Sequence, residues 1–302
     1  MISTYILPSV LAFIMFGMGL SLTAQDFRNI ALHPRAIFIG LVCQMILLPI
    51  IAILIAYIAG IAGLSPELQV GIVLIAACPG GAVSNLIAYL LKANVALSVS
   101  LTTINSFLVI FSIPITIKIA LFLFLEAGQT EINLPFWDTL FQILLMTVIP
   151  CVLGIYIQSR SPRLANTVEQ PLKYLMPVLL ALAMLGAIFL ENGDANTVSV
   201  LDYTEVALFV LILNISGMSL GYYAAKSQKL DKNNQITIAI EVGLQNTGLA
   251  ITIATSQLFL GSQIMAIPAS IYALFTFFSA VIFGLWVRPE LIRSLLKFKT
   301  SK

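Results

Sequence analysis

Apolar runs long enough to cross a bilayer recur from one end of the chain to the other, at about 6–24, 36–60, 68–91, 95–122, 136–158, 170–190, 203–225, 232–259 and 263–287. A spanning helix needs about 20 such residues. In hydrocarbon each backbone N–H and C=O must find an internal partner, so such runs fold as α-helices. The nine runs therefore predict an all-α polytopic membrane protein. Charged residues make up 9% of the 302, and hydrophobic ones 60%. A soluble domain carries about 25% charged residues. The first run has no basic segment before it and no clean small-residue cleavage site at Leu22-Thr23-Ala24. It is expected to be a retained helix rather than a signal peptide.

The connecting segments set the orientation. Arg28 and Arg35 follow the first run, Lys92 the third, Arg160, Arg163 and Lys173 the fifth, and Lys226, Lys229 and Lys232 the seventh; Arg288, Arg293, Lys297, Lys299 and Lys302 close the chain. The alternate segments, around Glu67, around Glu126 and Glu131, around Glu191, Asp194 and Asp202, and at 259–263, carry no cation. Fourteen of the fifteen Lys and Arg thus fall on one side, with Lys118 the exception. The positive-inside rule makes that side cytoplasmic. The expectation is a multi-pass protein of the plasma (cell inner) membrane, with its N-terminus outside and its C-terminus in the cytoplasm.

Several function classes lack their residues. No connecting segment exceeds about 15 residues, too short for a soluble catalytic domain. Cys43, Cys78 and Cys151 match no zinc, haem or disulfide spacing. The single histidine, His33, lies in a loop beside Arg35. No Ser–His pair or metal cluster falls at membrane depth, so an enzyme is not expected. Nothing points to nucleic acid, an organic cofactor or an obligate protein partner.

Two runs are interrupted. The third contains Cys78-Pro79-Gly80-Gly81-Ala82-Val83-Ser84-Asn85, in which proline removes a backbone donor and clashes with the preceding turn. The eighth contains Glu241-Val242-Gly243-Leu244-Gln245-Asn246-Thr247-Gly248. Gly81 is followed at +3 and +4 by Ser84-Asn85, and Gly243 at +3 and +4 by Asn246-Thr247. Each break thus sets two polar residues at the start of a second half-helix. Four runs separate the two, so a five-helix repeat would place them in equivalent positions with opposite topology. Repeat one would span about 1–122 without its first helix, and repeat two about 136–288, within one transporter domain of 1–302. Inverted repeats with paired broken helices point to a secondary transporter.

Glu241 is the acidic residue that no membrane surface accommodates. A carboxylate at bilayer depth costs several kcal/mol and needs a compensating partner. It is either held by interhelical hydrogen bonds or part of a cation site. Freed carbonyls and side-chain oxygens at a break can replace an ion's hydration shell, while half-helix N-termini favour an anion. Ser98 and Thr102 share one face of the fourth run, four residues apart. Each either bonds its own i−4 carbonyl or faces Ser84 and Asn85. Gln44, five before Pro49, is a ligand or interhelical glue. Asn105, Ser106, Asn214 and Ser216 are assigned to packing. Met15-Phe16-Gly17-Met18-Gly19 and the Phe-rich 275–278 read as packing and lipid-facing surface; the latter could instead line a substrate cavity.

PGGAVSN in one broken helix, NVALSVSLTT soon after and EVGLQNTGLA in the other resemble the bile acid:sodium symporter family, as do MFGMGLSL and LVCQMILLP. The likeness covers nearly the whole chain in order. It implies inverted five-helix repeats with crossed broken helices, a core moving against a panel of runs 6–24, 136–158 and 170–190, and two sodium ions. By motif match, the first ion would be held by Ser84, Asn85, Ser98, Thr102 and Glu241. The second would be held by Gln44, Glu241, Gln245 and the carbonyls of Val242 and Leu244. An organic anion would sit near Ala82, Val83, Asn246, Thr247 and Gly248. Two departures touch the anion side: Ala82 stands where relatives often carry a hydroxyl, and Thr276-Phe277 where some bacterial relatives carry His-Asn. The expected activity is sodium-coupled symport of a carboxylate or sulfonate by alternating access. The alternatives are a proton-coupled carrier with Glu241 titrating, and a metalloid oxyanion efflux carrier with Cys78 as a soft ligand.

Overall fold

The computed structural model of the chain describes residues 6–23, 34–125, 144–168, 200–256 and 259–290, together with 141, 171, 172 and 175. His33, most of the expected run 170–190, the acidic loops at 126–135 and 191–199, and the cations beyond residue 290 lie outside the described residues. Every regular element among the described residues is helical.

Helix α1 is Leu7–Ser21. Helix α2, Pro34–Val42, passes through a π turn at Cys43–Leu47 into α3, Leu48–Ile61. Helices α4, Pro66–Ala76, and α5, Ala82–Leu90, are the halves of the first interrupted run, and α6 is Val95–Phe124. A second π turn, Leu144–Val148, opens into α7, Ile149–Arg160. Helix α8 is Val200–Ser227; α9, Lys232–Gly243, and α10, Thr247–Thr255, are the halves of the second interrupted run. A 3-10 turn, Ile264–Ala266, leads to α11, Ile267–Val287.

Five helical stretches are long and apolar enough to cross a membrane: Pro34–Ile61, Val95–Phe124, Thr204–Ser227, Lys232–Thr255 and Ile264–Val287. Pro8–Ser21, Pro66–Ala76 and Leu144–Arg160 are apolar but shorter. Proline stands within the first two positions of α1, α3, α4, α7 and α11; at the free starts of α1 and α4 its missing N–H leaves no bond unmade. The two π turns end two residues before Pro49 and Pro150 respectively. In both, a carbonyl one turn upstream of proline has no N–H to receive, and the helix widens there.

The second interrupted helix is the centre of the molecule. Over its most apolar window 89% of the residues are buried, against 33–44% for the other four stretches. Helix α8 lies along α9, and α11 packs on α8. Helices α3 and α6 cover α4. The outer faces carry exposed large apolar side chains such as Phe13, Phe38, Leu54, Phe122, Leu274, Phe278 and Ile282, as a lipid-facing surface requires. Helix α1 packs chiefly along α7. The approach is backbone to backbone: a Cβ on Gly154 would fall 2.3 Å from Phe16 O, and one on Gly19 2.1 Å from Cys151 O.

The halves of the interrupted helices exchange partners. Helix α4 packs against α10 and the 3-10 turn, whereas α5 packs against α9. The two helices therefore cross, and their breaks meet. One end of the molecule gathers segments that carry cations. Arg288 Nη2 donates to Lys92 O at 3.0 Å and also to Asn233 Oδ1. Arg35 Nη2 donates to Gln228 Oε1 at 3.2 Å. Asn94 Nδ2 donates to Asn234 Oδ1 at 2.8 Å, and Asn94 N to Thr237 Oγ1 at 2.9 Å.

Candidate functional site

Each break has a local cause. Helix α4 ends in tightened turns, with Ala77 N reaching both Val73 O and Leu74 O at 3.1 Å, and Cys78 N reaching Ile75 O at 3.2 Å. Pro79 then supplies no donor. At the second break Gly243 ends α9, and Leu244 is extended at φ −104° and ψ 113°. Asn246 caps α10, its side-chain oxygen accepting from Leu249 N at 3.0 Å. The breaks are stitched by their backbones, Asn246 N donating to Cys78 O at 2.9 Å. Gly80 permits this contact, because a Cβ there would sit 2.4 Å from Leu244 O.

Above the crossing lies a buried group of oxygens. Glu241 is 1% exposed. Thr102 Oγ1 donates to Glu241 Oε1 at 2.6 Å and lies 3.3 Å from Asn85 Oδ1. Ser98 Oγ lies 3.0 Å from Glu241 Oε2 and 2.8 Å from Asn85 Oδ1. Neither hydroxyl turns back on its own helix. Ser100 and Thr103, on other faces of α6, and Ser106, one turn further along the same face, do so at 2.7–2.8 Å. Ser84 is fully buried and donates to Gly81 O at 2.7 Å, which leaves its lone pairs free to accept.

The hydrogens do not suffice for these oxygens. A hydroxyl carries one hydrogen, and a carboxylate and an amide oxygen carry none. Ser84, Ser98 and Thr102 thus bring three hydrogens, that of Ser84 directed at Gly81 O, to a cluster whose oxygens are their own three, the two of Glu241 and Oδ1 of Asn85. Among the described residues no Lys or Arg pairs with Glu241, and no group of His, Cys, Asp and Glu could hold a metal ion. An acceptor-rich, buried, anionic cluster of hard oxygens is suited to a small hard cation or a proton.

A second set adjoins the first along the chain. The π turn carries Gln44 inward, where it is 2% exposed. Its Nε2 donates to Gln245 Oε1 at 3.0 Å. Gln245 Nε2 donates to Val242 O at 2.7 Å. Gln44, Gln245 and the Val242 carbonyl thus meet on one side of the second break, and Leu244 O faces Gly80 at the crossing.

The residues matched to the anion lie at the starts of α5 and α10. Ala82 is the first residue of α5, and Val83, the next, is 55% exposed. Asn246 and Thr247 are partly exposed, and Gly248 is buried. Asn246 Nδ2 lies 3.7 Å from the Cβ position of Gly81, so this side chain bridges the two breaks while capping α10. Of the departures, Thr276 bonds its own helix at Tyr272 O, 2.7 Å away, and Phe277 is 55% exposed.

Two residues at the site escape sequence reasoning. Asn214 Nδ2 and Tyr272 Oη both donate to Gly243 O, at 3.0 and 2.5 Å. Asn214 reads as a packing residue, and Tyr272 as one aromatic in an apolar run; nothing local to either marks a contact 29 residues away.

Comparison with known proteins bears on this arrangement. The model of the Sodium Bile acid symporter family matches residues 8–198. The chain is 32% identical over 272 residues to the uncharacterized sodium-dependent transporter YocS of Bacillus subtilis (strain 168), covering 90% of this chain and 79% of that one. It is 28% identical over 280 residues to the probable chloroplastic sodium/metabolite cotransporter BASS1 of Arabidopsis thaliana, covering 91% of this chain and 65% of that one. It is 27% identical over 295 residues to the ileal sodium/bile acid cotransporter of Mus musculus, covering 93% of this chain and 78% of that one.

Proposed function

The chain belongs to the sodium bile acid symporter family, and from that premise we propose that it carries an organic anion, a carboxylate or sulfonate, into the cell together with two sodium ions. Its family and relatives are sodium-dependent transporters, not enzymes. Which anion it takes is the open chemistry, and the names of the relatives range from bile acid to metabolite.

The observation that carries the reading is the shortage of hydrogens around Glu241. The first ion is held by Ser84, Asn85, Ser98, Thr102 and Glu241. The second is held by Gln44, Glu241, Gln245 and the carbonyls of Val242 and Leu244. Glu241 ligates both, so one charge balances part of two. The ions order the breaks at 77–81 and 244–246, and the starts of α5 and α10 then present N–H groups to the anion. Ala82, Val83, Asn246, Thr247 and Gly248 form that surface.

Alternating access follows from the two packing units. Helices α1 and α7 form part of the panel, and the crossed helices with α2, α3, α6, α8 and α11 form the core. The N-terminus lies outside and the cationic end faces the cytoplasm. Two sodium ions with one monovalent anion bring in one net charge, which at about 100 mV supplies about 2.3 kcal/mol per cycle.

Glu241→Ala tests the assignment. The variant is expected to reach the membrane and to lose sodium-dependent uptake in proteoliposomes. Sodium-driven uptake at the native level by the variant would refute the site. Native uptake that follows a pH gradient equally in sodium and potassium would transfer Glu241 to a proton-coupled carrier.

A further inference from the structure

The end of α9 is buried, and the last four carbonyls of a helix have no partner within it. Partners are traceable for three of them. Ile240 O accepts from Leu244 N at 2.9 Å. Val242 O accepts from Gln245 Nε2 at 2.7 Å. Gly243 O receives two donors, Asn214 Nδ2 from α8 at 3.0 Å and Tyr272 Oη from α11 at 2.5 Å. Both side chains are buried, at 0% and 1% exposure. One such bond would satisfy the carbonyl, so a second donor from another helix does more than that: it fixes the direction.

Direction matters at this residue. Leu244 is extended, and successive carbonyls of an extended chain point to opposite sides. With Gly243 O held toward α8 and α11, Leu244 O turns the other way. It faces the first break, 2.4 Å from the Cβ position of Gly80. Asn214 Oδ1 has no hydrogen-bond partner, and the amide is turned toward Gly243 O and the Tyr272 hydroxyl beside it.

We propose that Asn214 and Tyr272 are positioning residues for the second cation site: by clamping Gly243 O between α8 and α11, they hold the Val242 and Leu244 carbonyls in the direction a sodium ion needs. The inference rests on the two-sodium reading above. It adds two side chains that touch no ion and set the geometry of the carbonyls that do. It also ties occupancy of that site to the packing of α8 and α11 against α9, so a shift of either helix would change sodium affinity without moving a ligand side chain.

The test is the thermal stability of the purified chain titrated with sodium chloride, ionic strength being held with potassium chloride, for the native protein, Tyr272→Phe and Asn214→Leu. Tyr272→Phe removes one hydroxyl and little volume; Asn214→Leu removes the other donor and serves if the first variant does not fold. Each variant is expected to raise the half-saturating sodium concentration about three- to tenfold, the loss of one hydrogen bond's orienting effect. The stabilisation at saturating sodium should persist. A merely structural clamp gives another pattern: melting temperatures fall equally in sodium and potassium, and the half-saturating concentration stays native. That result overturns the inference and leaves the sodium sites standing. A native chain that sodium does not stabilise over potassium removes the two-sodium reading, and the inference with it.

Discussion

Glu241 and its neighbours show what residue type can and cannot tell. Ser98, Ser100, Thr102, Thr103 and Ser106 all lie in one helix; Ser100, Thr103 and Ser106 bond their own backbone, whereas Ser98 and Thr102 reach Glu241. Their spacing of four marks a shared face, which the sequence displays, but Ser106 shares it, so spacing does not single them out. Their partner is 139 to 143 residues away, which spacing cannot display. Asn246 was legible as a polar residue after a break, its anion-side role came from the family resemblance, and its side chain caps α10. Asn246→Ala is therefore expected to weaken anion binding at least as much as sodium binding and to cost about 1 kcal/mol of stability through the lost cap. Sodium titrations with and without anion would reveal the opposite order if it holds. Cys78 is buried in the first break. Alanine there is expected to retain sodium-driven uptake, and a specific loss of oxyanion efflux would revive the soft-ligand alternative.

At the scale of elements, proline and glycine carried most of the information. Pro79-Gly80-Gly81 and Gly243 place both breaks where the helices end, at Ala76 and Gly243. The π turns were not foreseen, although Pro49 and Pro150 stand two residues beyond each. Proline removes a donor in either case, and whether a helix kinks or widens depends on the helices packed around it. Gln44 lies in the widened turn Cys43–Leu47 and meets Gln245 there. Gly80 is the element-scale hinge of the account. Gly80→Ala sets a Cβ 2.4 Å from a backbone oxygen that no rotamer change can move aside. Its expected cost is about 1–3 kcal/mol, the usual range for overpacking. The crossing should also loosen, with sodium-dependent stabilisation reduced more than stability in potassium. Equal melting curves for the variant and the native chain in both salts would show that the breaks do not need this contact.

At the scale of the molecule, charge placement was the most legible property. Four of the segments assigned to the cationic side meet through Arg35–Gln228, Arg288–Lys92 and Arg288–Asn233. The crossing of the broken helices was implied by the family resemblance and is visible in how α4, α5, α9 and α10 exchange partners. Sidedness has a direct check, because Cys43, Cys78 and Cys151 are buried and give little background labelling. Gln228→Cys is expected to react with a membrane-impermeant maleimide only from the cytoplasmic face, and Ala62→Cys only from outside. The reverse pattern would invert the topology.

The proposed coupling is that sodium bound at Glu241 orders the breaks and so completes the anion site. Its most direct measurement is a thermal-shift screen of carboxylates and sulfonates on the purified native chain and Glu241→Ala, in sodium and in potassium. An anion is expected that raises the melting temperature of the native chain in sodium, much less in potassium, and not in Glu241→Ala in either salt. An anion that stabilises equally in sodium and potassium, or that keeps its sodium-dependent effect in Glu241→Ala, would contradict it.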